Sequence, residues 1–182
     1  MIIIIDKWAL NAATWIKQQN PDQTASIAVL QFALIGILNS LLIFIIIIFI
    51  GAISGHLWDS FLASLFFVFL HFFSGGHHFK SALMCTIFSS CVIIVSFSVP
   101  INNDVLLAIT IFTILILFVF APSNIENHAR IPKSYFPVLK MISIIIVIAN
   151  LFLLNSAVAL ALLFQSLLVI PYSKLMLKRG WK

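Results

Sequence analysis

Apolar residues fall into six long runs along the chain, separated by short polar, glycine- or proline-bearing breaks. The runs lie at 27–50, 57–73, 82–99, 105–121, 138–154 and 156–171. Each reaches or approaches the ~20 residues that an α-helix needs to cross a bilayer. The breaks are GAISG at 51–55, SGGHHFKS at 74–81, PINND at 100–104, a longer basic stretch at 122–137, and the pair Asn155-Ser156. Because only that pair divides the last two runs, the pattern alone allows either a helical hairpin or one kinked segment. The first twenty residues differ in kind. Ile4, Trp8 and Trp15 fall near helical spacing, with Asp6, Lys7 and Lys17 interleaved. The segment is too polar to span, so it predicts an amphipathic helix over 1–20 lying on the membrane surface, ended by Pro21 and Asp22. It is not read as a secretory signal, since no basic region precedes the apolar stretch and no small-residue cleavage site follows it.

Composition turns this pattern into a class. Of 182 residues, 63% are hydrophobic and 8% charged, against roughly 25% charged in an ordinary soluble domain. A water-soluble globule of this size has no means of hiding that much apolar surface. The expected fold is an all-α integral membrane protein: an N-terminal amphipathic interfacial helix followed by about six transmembrane helices, in one membrane domain over 1–182. Compact nucleotide-binding domains and soluble hydrolases are excluded.

Charge placement then orients the chain. With both termini in the cytoplasm, the segments at 74–81 and 122–137 and the basic tail at 172–182 all face inward. Lys7, Lys17, Lys80, Arg130, Lys133, Lys140, Lys174, Lys178, Arg179 and Lys182 come out on that side, whereas the outward loops carry only Asp59 and Asp104. This is the bias that the positive-inside rule describes. Merging the last two runs would send the basic tail outside, which favours six spans. Ten scattered basic residues form no continuous patch, so nucleic acid is not an expected partner. The bilayer is.

Ionisable groups inside a membrane are costly and mark function. Here they concentrate between His71 and Cys85, a segment holding three of the five histidines and one of the two cysteines. A Cys-His pair suits nucleophilic catalysis because a neighbouring imidazolium lowers the thiol pKa and populates the thiolate. Cys85 and His78 are the candidate dyad. Seven residues apart on an unbroken helix, they would sit roughly 10 Å apart along the axis, too far for an ion pair. The pair therefore requires a helix that begins after His78 and a loop that folds back. Gly75-Gly76 permits such a loop, and a helix starting near Ser81 places Cys85 in its early turns, where the helix dipole favours a thiolate. Cys91, in the same apolar run, reads as a packing residue.

The run Gly75-Gly76-His77-His78, with Cys85 seven residues after the second histidine, resembles the accessory gene regulator B (AgrB) family of quorum-sensing membrane cysteine peptidases. Phe120-Ala121-Pro122, opening the basic loop that ends at Pro132, resembles that family's aromatic-Ala-Pro loop. The likeness covers essentially the whole chain. It implies an endopeptidase that cuts the C-terminal part from a small AgrD-like precursor peptide through a thioester and promotes cyclisation to a thiolactone or lactone autoinducer. By match, Cys85 is the nucleophile, His78 the base, and Gly75 and Gly76 shape the loop with His71 and Ser81. His71 stands where the family usually has an Arg. Lys80, Arg130, Lys133 and Lys140 are candidate counter-charges for an acidic precursor. The resemblance also suggests a homodimer in the bacterial plasma membrane, with its site facing the cytoplasm and needing no metal or cofactor.

Two other readings stand beside this one. A non-enzymatic carrier would use His71, His77, His78 and Cys85 as ligands for a soft divalent ion, although the other predicted spans hold no His or carboxylate to continue a pathway. A catalytically inactive relative or scaffold would keep the fold without the chemistry. Ala52-Ile53-Ser54-Gly55 is a near miss to a serine-protease Gly-x-Ser-Gly, lacking the first glycine and any later span with a histidine base.

Overall fold

A computed structural model of the chain describes residues 2–77, 82–124 and 132–171. Seven α-helices occupy them: α1 Ile2–Gln19, α2 Ile27–Ile53, α3 Leu57–Ser74, α4 Ala82–Ser98, α5 Asn103–Phe120, α6 Phe136–Leu153 and α7 Ser156–Val169. The molecule is an all-α membrane protein, and each apolar run has become one helix after the N-terminal one. Four helical segments, at Ile27–Ile53, Leu57–Ser74, Asn103–Phe120 and Lys133–Leu153, are long and apolar enough to cross a bilayer, while α4 and α7 are shorter. The 14 residues of α7 rise about 21 Å.

Local chemistry explains where the helices stop. After α1, the Lys17 ammonium donates to the carbonyls of Pro21 and Thr24 at 2.6 and 2.9 Å, closing the turn at Pro21-Asp22. Asn102 caps α5 by accepting from the Val105 N–H at 2.9 Å. Leu154 takes a left-handed conformation (φ 49°) to end α6. Asn155 then caps α7, its side chain accepting from the Val158 N–H at 3.0 Å. The last two apolar runs are thus separate helices. One boundary moves: α2 continues through the glycine at 51 to Ile53. Gly51 lies against the Ser60 side chain, where a Cβ would overlap it, and small residues of this kind let membrane helices approach closely.

The chain divides into two compact units. The first comprises Met1–Ile46 and Phe79–Ser90. In it, α1 buries Ala9 and Ala13, one helical turn apart, and leaves Trp8 and Trp15 exposed. Gln31 of α2 donates to the Asp6 carbonyl, and Thr86 of α4 donates to Asn39 Oδ1 of α2 at 3.0 Å.

The second unit comprises Ile47–His78 and Cys91–Lys182. Here α3 and α5 each pack against both α6 and α7. Leu70, Leu117, Ala121, Val147, Val158, Leu162 and Val169 form one buried cluster, drawn from all four helices and the residue following α5. Ala157, Ala159 and Ala161 keep α7 slim enough to be buried on several sides. Several hydroxyls within these helices return to the backbone one turn earlier, as Ser64 does to Ser60 and Thr110 to Leu106, whereas the buried Thr113 Oγ1 finds no partner among the described residues.

Candidate active site

The Gly75-Gly76 turn is built where α3 ends. The Gly75 N–H donates to the His71 carbonyl at 2.9 Å, and the chain then leaves the helix through two left-handed residues, Gly75 at φ 68° and Gly76 at φ 139°. Both values lie where only glycine is comfortable. A Cβ on Gly76 would stand 3.3 Å from the Leu168 carbonyl oxygen and 3.4 Å from Gln165 Nε2. Glycine at 76 is therefore demanded twice, by conformation and by space.

Three elements hold this turn. The Gly76 N–H donates to the Ser123 carbonyl at 3.0 Å, and the Ser123 N–H donates to the Ser74 carbonyl at 3.0 Å, forming an isolated parallel bridge between Gly75 and Ser123. Ser123 follows the Ala121–Pro122 bond, which is cis. The two stretches that carry the resemblance are thus joined directly. From α7, the Leu168 carbonyl accepts from the His77 N–H at 2.8 Å. Finally, the fully buried Gln165 donates from Nε2 to the Gly75 carbonyl at 2.9 Å, and the same nitrogen lies 2.9 Å from His71 Nδ1. The His71 ring is stacked on Phe67, with centroids 6.4 Å apart and planes 3° from parallel.

Among the sequence-predicted residues, the structure brings His71, Gly75 and Gly76 together in the second unit, with His77 next along the chain and its side chain exposed. Cys85 belongs to the first unit. It is the fourth residue of α4, which spans Ala82–Ser98. Its half-buried thiol is hydrogen-bonded with Ser89, one turn on. Backbone N–H groups in a first helical turn have no partner within their own helix, and Cys85 lies in that turn of α4. Cys91 is exposed. His78, Lys80, Ser81 and Arg130 lie outside the described residues, as does the tail at 172–182.

The remaining charged candidates sit beyond this turn. Lys133 is exposed at the start of a short 3-10 turn, Lys133–Tyr135. Lys140 donates to the Phe118 carbonyl at 2.8 Å and lies over the Phe118 ring, so it tethers α6 to the end of α5. Asp59, at the opposite end of α3 from His71, accepts from Asn155 Nδ2 at 2.7 Å and faces His56 at 3.3 Å. Twelve helical residues separate Asp59 from His71, about 18 Å of rise, which leaves this carboxylate no part in the turn. Among the described residues, no three His, Cys, Asp or Glu side chains gather as a metal site.

Three contributors escaped the sequence reading: Gln165, Ser123 and the Leu168 carbonyl. Gln165 is an uncharged amide within an otherwise apolar run, and a search for ionisable groups passes over it. A lone amide in a span does carry a signal, since it must find a partner away from lipid.

The fold and this turn define a class: a polytopic helical membrane protein with a Gly-Gly turn at the end of one apolar helix and a cysteine in the first turn of another. The family model of accessory gene regulator B matches residues 9–170. The chain belongs to that family. A protein of Halalkalibacterium halodurans named AgrB-like is 25% identical over 174 residues, covering 92% of this chain and 88% of its own length. No solved structure matches the chain. Family membership places the protein in accessory-gene-regulator quorum-sensing signal processing, in the membrane, with an AgrD-like peptide as partner.

Proposed function

We propose that the protein is a membrane cysteine endopeptidase that cleaves an AgrD-like precursor and promotes closure of its ring. One observation carries this reading: within a chain that matches the family over 9–170, the Gly75-Gly76 turn precedes His78 in the chain, and Cys85 lies in the first turn of α4. His78 takes the proton from Cys85 Sγ, and the thiolate attacks the carbonyl carbon of the scissile peptide bond. Donors at the start of α4 face the developing oxyanion. The C–N bond breaks, the leaving amine takes the proton back from the imidazolium, and the N-terminal part remains as a thioester on Cys85. A thiol or hydroxyl of the bound peptide gives its proton to the now neutral His78 and attacks that thioester, closing a thiolactone or lactone and releasing the Cys85 thiolate, which takes the proton back from His78.

The turn sits at the end of an apolar helix, where limited water lets an internal nucleophile outrun hydrolysis. The site faces the cytoplasm with both termini, and Arg130 and Lys133 serve on that side as counter-charges for the precursor, whereas Lys140 is engaged by the Phe118 carbonyl.

The test is the intact mass of the purified protein after incubation with the precursor peptide, beside Cys85→Ala and His78→Ala. A hydroxylamine-sensitive adduct on the wild type, absent from Cys85→Ala, is the expected result. Cleavage that persists in Cys85→Ala would overturn the reading.

A further inference from the structure

The Gly75 carbonyl can only accept a hydrogen bond. The Gln165 side-chain atom that meets it at 2.9 Å must therefore be the amide NH2, which fixes the orientation of the carboxamide by chemistry. That nitrogen has two hydrogens and no lone pair to offer. Its second neighbour, His71 Nδ1 at 2.9 Å, must then accept, and an imidazole nitrogen accepts only when it carries no hydrogen. His71 is left with its hydrogen on Nε2.

Two further observations support this orientation. Gln165 is fully buried, and its Oε1 finds no partner among the described residues. The two donor contacts set the orientation, and it is kept although the acceptor is left without a partner among the described residues. The second is the space around Gly76, where the absent Cβ leaves room for Nε2 at 3.4 Å.

Resting on the peptidase reading, we propose that Gln165 is the positioning residue of the site. Its carboxamide clamps the Gly75 carbonyl and holds His71 as the neutral imidazole protonated on Nε2. Two consequences follow for the chemistry. His71 serves as an uncharged N–H donor and not as a base, because the lone pair it would use is already engaged by Gln165. The turn that leads into His77-His78 is set from α7, an element some 90 residues later in the chain.

The experiment uses full-length protein in nanodiscs, labelled with 15N-histidine, with His71 assigned by the resonances lost in His71→Asn. Histidine 15N shifts separate hydrogen-bearing from bare ring nitrogens. Wild type is expected to show His71 bare at Nδ1 and hydrogen-bearing at Nε2. Gln165→Leu is expected to mix the tautomers and to lower kcat for precursor cleavage by roughly tenfold to a hundredfold, as displaced catalytic geometry does, with KM little changed. Gln165→Glu replaces both donors with acceptors and is expected to draw a hydrogen onto Nδ1. His71→Asn, which keeps an acceptor where Nδ1 lies, is expected to recover much of the rate that His71→Leu loses.

A hydrogen on His71 Nδ1 in wild type overturns the proposal whatever the activity, and so does a Gln165→Leu protein with unaltered tautomer and kcat. Should Gln165→Leu fail to fold, the wild-type spectrum and the His71→Asn and His71→Leu pair decide. These outcomes are read separately from the thioester on Cys85, so the peptidase reading and the role of Gln165 can fail independently.

Discussion

Gly76 and Ser123 are joined by a backbone hydrogen bond of 3.0 Å, which ties the turn after α3 to the loop after α5. The bond lies beside a residue at φ 139° with Leu168 and Gln165 close by. Gly76→Ala therefore meets two penalties together. A non-glycine residue held in such a conformation costs on the order of 1–3 kcal/mol, and the new methyl group must push against α7. The expected outcome is a protein that still inserts, melts earlier in detergent, and processes precursor at least about tenfold more slowly, since displaced catalytic geometry is costly. Parallel melting curves and peptide cleavage assays check it. Unchanged cleavage would mean that the turn tolerates a displacement the geometry forbids.

The opposite end of the second unit provides the contrasting case. Asn155 caps α7 through Val158 and donates to Asp59 at 2.7 Å. Asn155→Ala removes both, and a lost cap with a lost charge-assisted hydrogen bond costs about 1–3 kcal/mol. Stability should fall while kcat per folded molecule stays at the wild-type value, because this cluster is a full helix length from the Gly75-Gly76 turn. A kcat that falls with the melting temperature would show that α7 transmits its N-terminal geometry to the turn.

Within the first unit, Thr86 is the neighbour of Cys85 in the chain and donates to Asn39 at 3.0 Å. Interhelical hydrogen bonds of this kind contribute roughly 0.5–2 kcal/mol in membranes. Thr86→Val and Asn39→Ala should each destabilise the protein, and the double variant should cost less than their sum. Cys91→Ala, by contrast, should leave processing intact, as expected for an exposed cysteine on an apolar helix. Unfolding of the four proteins in one detergent, with alkylation of Cys85 as a local probe, measures the coupling.

Much of this architecture was legible because helix ends are written in local chemistry. Pro21-Asp22, the PINND break at 100–104 and the Asn155-Ser156 pair each marked a terminus that the structure keeps. Gly75-Gly76 likewise announced a left-handed turn. The burial pattern was not legible. Hydropathy treats α2 and α7 alike, yet α2 leaves Phe32, Ile37, Leu41, Ile45 and Phe49 exposed while α7 buries Val158, Leu162 and Val169. The distinction lies in small residues such as Ala157, Ala159 and Ala161, which permit close helix contact and barely alter an apolar score. Gln165 stayed hidden for a related reason: its partners, His71 and the Gly75 carbonyl, are brought to it only by the packing of α3 on α7. Gly51 marked a break in the apolar pattern but serves helix packing, because Ser60 occupies the space beside it.

The basic residues near α6 separate into two roles, and salt distinguishes them. Lys140 is committed to the Phe118 carbonyl at 2.8 Å, an attachment at the end of α5 that favours positive charge through the helix dipole. Its loss in Lys140→Gln should lower stability slightly and leave precursor KM near the wild-type value at every ionic strength. Arg130→Gln and Lys133→Gln remove charge from the loop proposed to meet an acidic peptide. Combined, they should raise KM at low salt. The difference from wild type should shrink as ionic strength rises, because the Debye length falls from ~30 Å at 0.01 M to ~8 Å at 0.15 M. Measuring KM across that range for the three variants tests the assignment. If Lys140→Gln shows the salt-dependent loss and the 130/133 pair does not, the counter-charge moves to α6 and the loop keeps only its part in topology.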